Sequence, residues 1–393
     1  DYDFVFVPNT RAASLPGFEP HPLVNIASFQ EMTPAQVTAL TRPDMIRPGT
    51  RTLNMSAFGD ALRPDLDPPV KALYVYNSNP AAIAPDQNAV RRGLAREDLF
   101  VAVHELFKTD TVDWADIVLP ATTVLEHTDI LKSYGHLYLA INRPAIEPQG
   151  ECRSNTEVFR GLAQKMGLTD PGVFESDETL MQQAFNWSHP RLEGINIERL
   201  NRETTVRLNV PADWAPFALG NFPTASGKCE FYSETEKAAG RDPLPNYVRP
   251  REGPVSNPKL AKTYPLAFIS PPAHHFLNST FSAQPVLMRR EGGEPALTIH
   301  PDDARTRGIV DGQMVRTFND RGEFLAKANV SDGARPGVVA GLSVWWAKLC
   351  PGGRNANAVT GQALTDLGNG ATFYDVLVDV ARHEDSSETV AQA

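Results

Sequence analysis

Three short apolar runs and one helical pattern fall within residues 71–121, and this alternation constrains the fold more than any other feature of the chain. KALYVY (71–76) and DLFVAVHE (98–105) are rich in β-branched and aromatic residues, while PDQNAVRRGLA (85–95) between them has helical spacing. DIVLPA (116–121) reads as a third strand. Strands alternating with helices imply a mostly parallel sheet. The first strand runs directly into NSNP (77–80), and the loop after such a strand is where α/β proteins hold phosphates. This loop contains no glycine. Asn77, Ser78 and Asn79 instead offer side-chain and backbone donors, Pro80 stiffens the turn, and small polar loops of this kind form anion-binding concavities. An Asx-turn with no ligand is the plainer reading of the loop taken alone.

The predicted organisation places a loop-rich segment at 1–69, an α/β domain at 70–185, a connecting segment at 186–258, a β-barrel at 259–383 and a disordered polar tail at 384–393. TPAQVTAL (33–40) is the one helical pattern in the first segment, with Thr33 as cap and Pro34 in its first turn. SNTEVFRGLAQKMG (154–167) carries a capping box, with Ser154 as cap, Glu157 three residues on and Gly167 as stop. SDETLMQQAF (176–185) is helical, and FPTASGKCEFYSE (222–234) reads as a turn feeding a strand. In the last domain YPLAFIS (264–270), LTIH (297–300), a hairpin MVRTFN–EFLAKANV around DRG (320–322), VVAGLSVWW (338–346) and ATFYDVLVDVA (371–381) read as strands. PDDARTRG (301–308) is a small helix between them, the pattern of a barrel.

A formal net charge of −10 argues against general nucleic-acid binding, which needs clustered Lys and Arg. No run approaches the roughly 18 apolar residues of a membrane helix, so no membrane segment is expected in this chain. Cys152, Cys229 and Cys350 are far apart and form no C-x-x-C, so neither a zinc site nor an iron–sulfur site is expected from them. All three read as ordinary small residues, and their sparseness favours a reducing compartment, the cytoplasm.

Four stretches, in order, resemble the molybdopterin oxidoreductases of the dimethyl-sulfoxide-reductase family. They are VKALYVYNSNPAAIAPD (70–86), LFVAVHELFKTDTVDWADIVLPATTVLEHTD (99–129), FPTASGKCEFYSE (222–234), and the barrel pair LTIHPDDARTRGIVDGQMVRTFNDRGE (297–323) with NAVTGQALTDLGNGATFYD (357–375). The resemblance implies an α/β fold: a parallel-sheet dinucleotide-binding domain followed by a C-terminal β-barrel of double-psi type. It implies a bis-molybdopterin guanine dinucleotide holding molybdenum or tungsten, two-electron redox of a small-molecule substrate, and an electron-transfer subunit or carrier as partner. The alternative is a non-catalytic cofactor-binding module of a split enzyme.

On that resemblance the NSNP loop would cradle part of the guanine dinucleotide. Glu105 ends the second strand, where an acid takes ribose hydroxyls or the N–H donors of guanine. Thr109, Asp110 and Thr111 would lie near the same nucleotide, with capping of a local helix as the plainer reading. Asp129 is a further acid in that stretch, as are Asp116 and Glu126. In SPPAHHFLNSTF (270–281), which the family runs past pterins and diphosphates, His274, His275, Asn278 and Ser279 are the candidates. Asn357 matches the asparagine of a family N-x-L-T motif that reaches a pterin, with Asn355 as a near alternative, and an amide suits the paired donors and acceptors of a pterin edge. The family's metal-ligating residue and [4Fe–4S] cluster belong to an upstream half, so the chain is expected to be the C-terminal part of a longer one. No metal ligand and no catalytic residue is assigned within it.

Overall fold

The computed structural model describes the strand Phe4–Val5 and residues 51–384, apart from positions 133–135, 216, 221, 223, 343 and 367. The helix expected at 33–40 lies outside the described residues. Phe4–Val5 (β1) pairs in parallel with Arg51–Thr52 (β2).

The alternating runs form a three-stranded parallel sheet of Ala72–Tyr76 (β3), Phe100–Glu105 (β4) and Ile117–Pro120 (β5), in that order. Leu73 and Val75 of β3 and Val101 and Val103 of β4 face a common core, sealed by Val90 and Leu94 of the crossover helix Gln87–Leu94. Gly93 lets that helix approach closely, since a Cβ there would sit 2.4 Å from the Leu62 Cβ. The opposite face of the sheet is aromatic. Tyr74, Tyr76 and His104 pack there against Phe159 of the helix Asn155–Lys165, whose cap Ser154 accepts from the Glu157 N–H at 3.3 Å as the capping pattern requires.

Residues 129–208 hold a second sheet that the sequence reading missed. Asp129–Lys132 (β6), Tyr138–Asn142 (β7) and Thr205–Arg207 (β8) pair antiparallel. The helices Asp177–Gln183 and Ile197–Glu203 cover it, burying Leu139, Ile141, Met181, Leu192, Leu200 and Val206. β7 pairs with β8, far along the chain, and no short window links the two.

Leu266–Ile269 (β9), Ala296–Ile299 (β10), Met314–Phe318 (β11), Glu323–Val330 (β12), Val338–Gly341 (β13) and Leu377–Arg382 (β14) close a six-stranded barrel. The hairpin β11–β12 is antiparallel as expected, whereas β10–β12 and β13–β9 are parallel. Alternate residues fill the interior, among them Leu266 and Phe268, Leu297 and Ile299, Val378 and Val380.

Three expected strands need correction. No strand follows the turn at 224–228: Thr224 Oγ1 donates to the Lys228 carbonyl, Glu230 accepts from the Ser226 N–H and hydroxyl, and a helix, Glu234–Ala238, follows. The run 338–346 leaves the sheet after Gly341, and Trp345 packs on Phe276 and Cys350 instead. The run 371–381 joins the barrel only from Leu377: Ala371 bridges Leu364, and the Asp375 N–H donates to the Thr372 carbonyl and turns the chain first.

Candidate functional site at the sheet–barrel junction

The NSNP loop is built on a buried amide knot. Asn79 is 1% exposed, and its Oδ1 accepts from the Thr111 N–H (3.1 Å) and hydroxyl (2.9 Å) while Nδ2 donates to Asp110 at 3.4 Å. Thr111 Oγ1 in turn accepts from the Ala81 N–H at 3.1 Å. The loops after β3 and β4 are therefore tied through Asn79, Asp110 and Thr111, whose side chains face inward. Asp110 also accepts the Lys348 N–H at 2.8 Å, and Lys348 Nζ reaches the Thr109 carbonyl and both carboxylate oxygens of Asp113. Thr109 is buried, and its hydroxyl has no partner. These contacts dock the barrel segment around Lys348 onto the sheet.

A second set of amides completes the junction. Asn355 Nδ2 donates to the carbonyls of Ala82 (3.1 Å) and Trp345 (2.8 Å), and Asn357 Nδ2 donates to Ala82 at 2.9 Å. Asn357 Oδ1 accepts the Thr360 hydroxyl at 3.1 Å, and Gln87 Oε1 accepts the Asn355 N–H at 3.3 Å.

Beside this junction, along β3, lies a cleft of about 620 Å³. Ser78, Asn278 and Asn357 line it, from the sheet loop, the loop after β9 and the segment after Trp346 respectively. Its walls are largely flat and apolar: Met55, Phe58, Tyr74, Tyr76, Phe373 and Tyr374. None of the described lining residues is charged. Aromatic walls with hydroxyl and amide groups match a planar heterocycle carrying neutral donors and acceptors.

Asn77 and Glu105 lie at the carboxyl ends of β3 and β4, and Asp129 begins β6. Asn77 is exposed at φ 48°, a left-handed conformation that asparagine tolerates, and its N–H donates to the His104 carbonyl at 3.2 Å. Burial raises the Glu105 carboxyl above its ordinary range, against the opposing Leu106 N–H. Burial and then the charge of Asp129 raise the Tyr76 phenol, against hydrogen bonds with Asn77 and Asn155. His104 is fully buried, Nδ1 faces the Tyr74 hydroxyl at 3.1 Å, and Nε2 has no partner; burial lowers its pKa and keeps the ring neutral at pH 7.

The histidine pair is tied to Glu291 through both backbone N–H groups and the His275 ring. His275 Nδ1 and N–H both meet Glu291 Oε2 at 2.8 Å, and the His274 N–H meets Oε1 at 3.3 Å. Ser279 presents its carbonyl to Trp346 Nε1 at 2.8 Å. Of that loop's four candidates Asn278 lines the cleft. Sequence reasoning missed Tyr74 and Tyr76 as walls, Lys348 as a docking residue and Glu291. The alternation of β3 signals the tyrosines; Glu291 has no local signal, because its partners are 16 and 17 residues away.

The cysteines stay apart. Burial pushes the Cys350 thiol up to about 12, with Asp110 adding to it, and its Sγ donates to the Trp346 carbonyl. Cys152 and Cys229 are free. Among the described residues no group of three or more His, Cys, Asp or Glu could hold a metal. Cys229→Ser, at an exposed position, is expected to shift stability by no more than about 0.5 kcal/mol and to leave metal content unchanged, as urea unfolding and elemental analysis would check.

A molydopterin dinucleotide binding domain matches residues 266–377 and a molybdopterin oxidoreductase domain matches residues 61–165. The chain belongs to the molybdopterin oxidoreductases of the dimethyl-sulfoxide-reductase family. It is 41% identical over 347 residues to the probable oxidoreductase YoaE of Bacillus subtilis, covering 88% of this chain and 49% of that protein. It is 30% identical to a putative dimethyl sulfoxide reductase of Halobacterium salinarum, covering 86% of this chain and 40% of the relative. The solved acetylene hydratase from Pelobacter acetylenicus shares the fold, with a TM-score of 0.65 at 22% identity over 85% of this chain and 47% of the hydratase. The chain thus spans about half the length of these proteins. No helix among the described residues is long and apolar enough to cross a membrane.

Proposed function

We propose that the cleft between β3 and the barrel holds the heterocyclic part of a molybdopterin guanine dinucleotide, and that the natural full-length protein is an oxidoreductase acting on a small molecule. The convergence of Ser78, Asn278 and Asn357 on one neutral, aromatic-walled cleft carries this reading. The chemistry of the donor set fits: amides and hydroxyls pair with amide and amine edges, and tyrosine and phenylalanine faces stack on flat rings. Asn77 and Asp129, which are exposed, and Glu105, which is half-buried, are the candidates for a nucleotide's sugar and base. Asn79, Asp110, Thr111 and Thr109 act one layer below, holding that loop in shape. When bound, the cofactor supplies the two-electron chemistry at molybdenum or tungsten; this chain's residues bind and orient it.

The reading extends to a second dinucleotide, an iron–sulfur cluster elsewhere in the protein, and an electron carrier as partner. It assigns the reaction to the cytoplasm, supported by three free cysteines, and cell fractionation tests that assignment. The cofactor is tested by acid hydrolysis of the purified natural protein, with nucleotide and metal quantified together. About two GMP per molybdenum or tungsten atom are expected. CMP in place of GMP would overturn the guanine assignment, and absence of any nucleotide or metal would overturn the cofactor itself.

A further inference from the structure

The loop that carries Asn278 is fixed by a buried carboxylate outside the cleft. Glu291 directly follows the helix Pro285–Arg290, at the end where the helix dipole favours cations rather than acids. Its side chain is only 3% exposed. A carboxylate so placed costs free energy unless hydrogen bonds satisfy it. Here three donors do so: the His274 N–H, the His275 N–H and the His275 imidazole. Burial raises the Glu291 pKa, but these bonds outweigh it and hold the carboxyl below its ordinary range, so it is charged at neutral pH.

Two further contacts fix the loop beyond the histidines. Phe276 is buried edge-on against Trp345, ring centroids 5.2 Å apart, and the Ser279 carbonyl accepts from Trp346. Between these anchors Leu277 and Thr280 close a turn, with Asn278 inside it at φ 48°. The position of Asn278 in the cleft therefore depends on anchors at both ends of a short loop, and Glu291 is the charged one.

We propose that Glu291 is a positioning residue for the cofactor: by clamping His274 and His275 it sets the loop that presents Asn278 to the cleft. This rests on the reading of the cleft as the cofactor site. His275 then serves as half of the clamp rather than as a phosphate ligand.

The test uses the natural full-length holoprotein with Glu291→Ala, Glu291→Gln, Asn278→Ala and the double variant Glu291→Ala/Asn278→Ala. Cofactor loss is followed as GMP appearing in the filtrate over time after dilution, and amide exchange is followed over 271–281. Loss of a charge-assisted clamp is expected to speed cofactor release by about tenfold in Glu291→Ala. Exchange at His274 and His275 rises with it, and Glu291→Gln, which keeps an acceptor oxygen, lies between Ala and wild type. The double variant should release cofactor no faster than Asn278→Ala alone, because the clamp acts through Asn278. A general packing defect would instead multiply the two effects, and that result would overturn the proposal. If Asn278→Ala speeds release but neither Glu291 variant does, the clamp fails and the cleft stands. If Asn278→Ala leaves release unchanged, the cleft reading fails, and the proposal with it. Should Glu291→Ala not fold, Glu291→Gln carries the same comparison.

Discussion

Asn79→Ala should lower stability by about 3 kcal/mol, because it takes a partner from three buried groups at once and leaves the Thr111 N–H with none. The Thr111 N–H, the Thr111 hydroxyl and the Asp110 carboxylate each lose their Asn79 partner, and Thr111 is fully buried. An unsatisfied buried N–H costs about 1–3 kcal/mol, while the Thr111 hydroxyl keeps the Ala81 N–H and Asp110, whose Asn79 contact at 3.4 Å is the weakest of the three, keeps the Lys348 N–H. The loop after β3 would also be tied more weakly to the loop after β4, through the Ala81 N–H and the Thr111 hydroxyl, loosening Ser78 in the cleft lining. Urea unfolding of the variant beside wild type measures the loss. A shift under about 1 kcal/mol would mean that the knot relaxes or that water replaces the amide.

Asn357→Ala should cost about 2 kcal/mol and most of the bound cofactor. Its Nδ2 holds the Ala82 carbonyl at the sheet side of the junction while its Oδ1 accepts from Thr360, so one amide joins sheet, barrel and cleft. Truncation leaves the Ala82 carbonyl with Asn355 alone and leaves the Thr360 hydroxyl, which is fully buried, with one weaker acceptor at 3.3 Å. Metal and GMP content of the purified variant provide the readout beside unfolding. Unchanged content in a folded variant would sink the assignment of Asn357 to the cofactor.

The fold was legible wherever local pattern and tertiary role coincide. The strands β3 and β4 carry their burial in their own residues, β5 shows its apolar run although it stays largely exposed, and the barrel hairpin announces itself through the polar turn at 320–322. Legibility failed where long-range packing overrode periodicity. Trp345 and Trp346 look like strand residues, yet Trp345 forms a small separate core with Phe276 and Cys350. The antiparallel sheet at 129–208 pairs β7 with a strand distant in sequence, a separation that no short window can reveal.

The candidate site divides in the same way. Ser78, Asn278 and Asn357 reach the cleft from three distant segments, and their residue types suit it. Asn79, Asp110 and Thr111 share those types but spend them on one another, and Asn357, though it lines the cleft, also bonds Ala82 and Thr360. A sequence records which side chains can make hydrogen bonds, not which way they face. His275 makes the same point, since only the fold brings it to Glu291.

The most direct test of the cleft compares hydrogen exchange in the holoprotein with that in the same protein produced without cofactor synthesis. The account predicts protection on cofactor binding in three separate segments: 76–80, 272–279 and 355–360. Protection absent from all three, or confined to one side of the junction, would contradict a cofactor held between the sheet and the barrel.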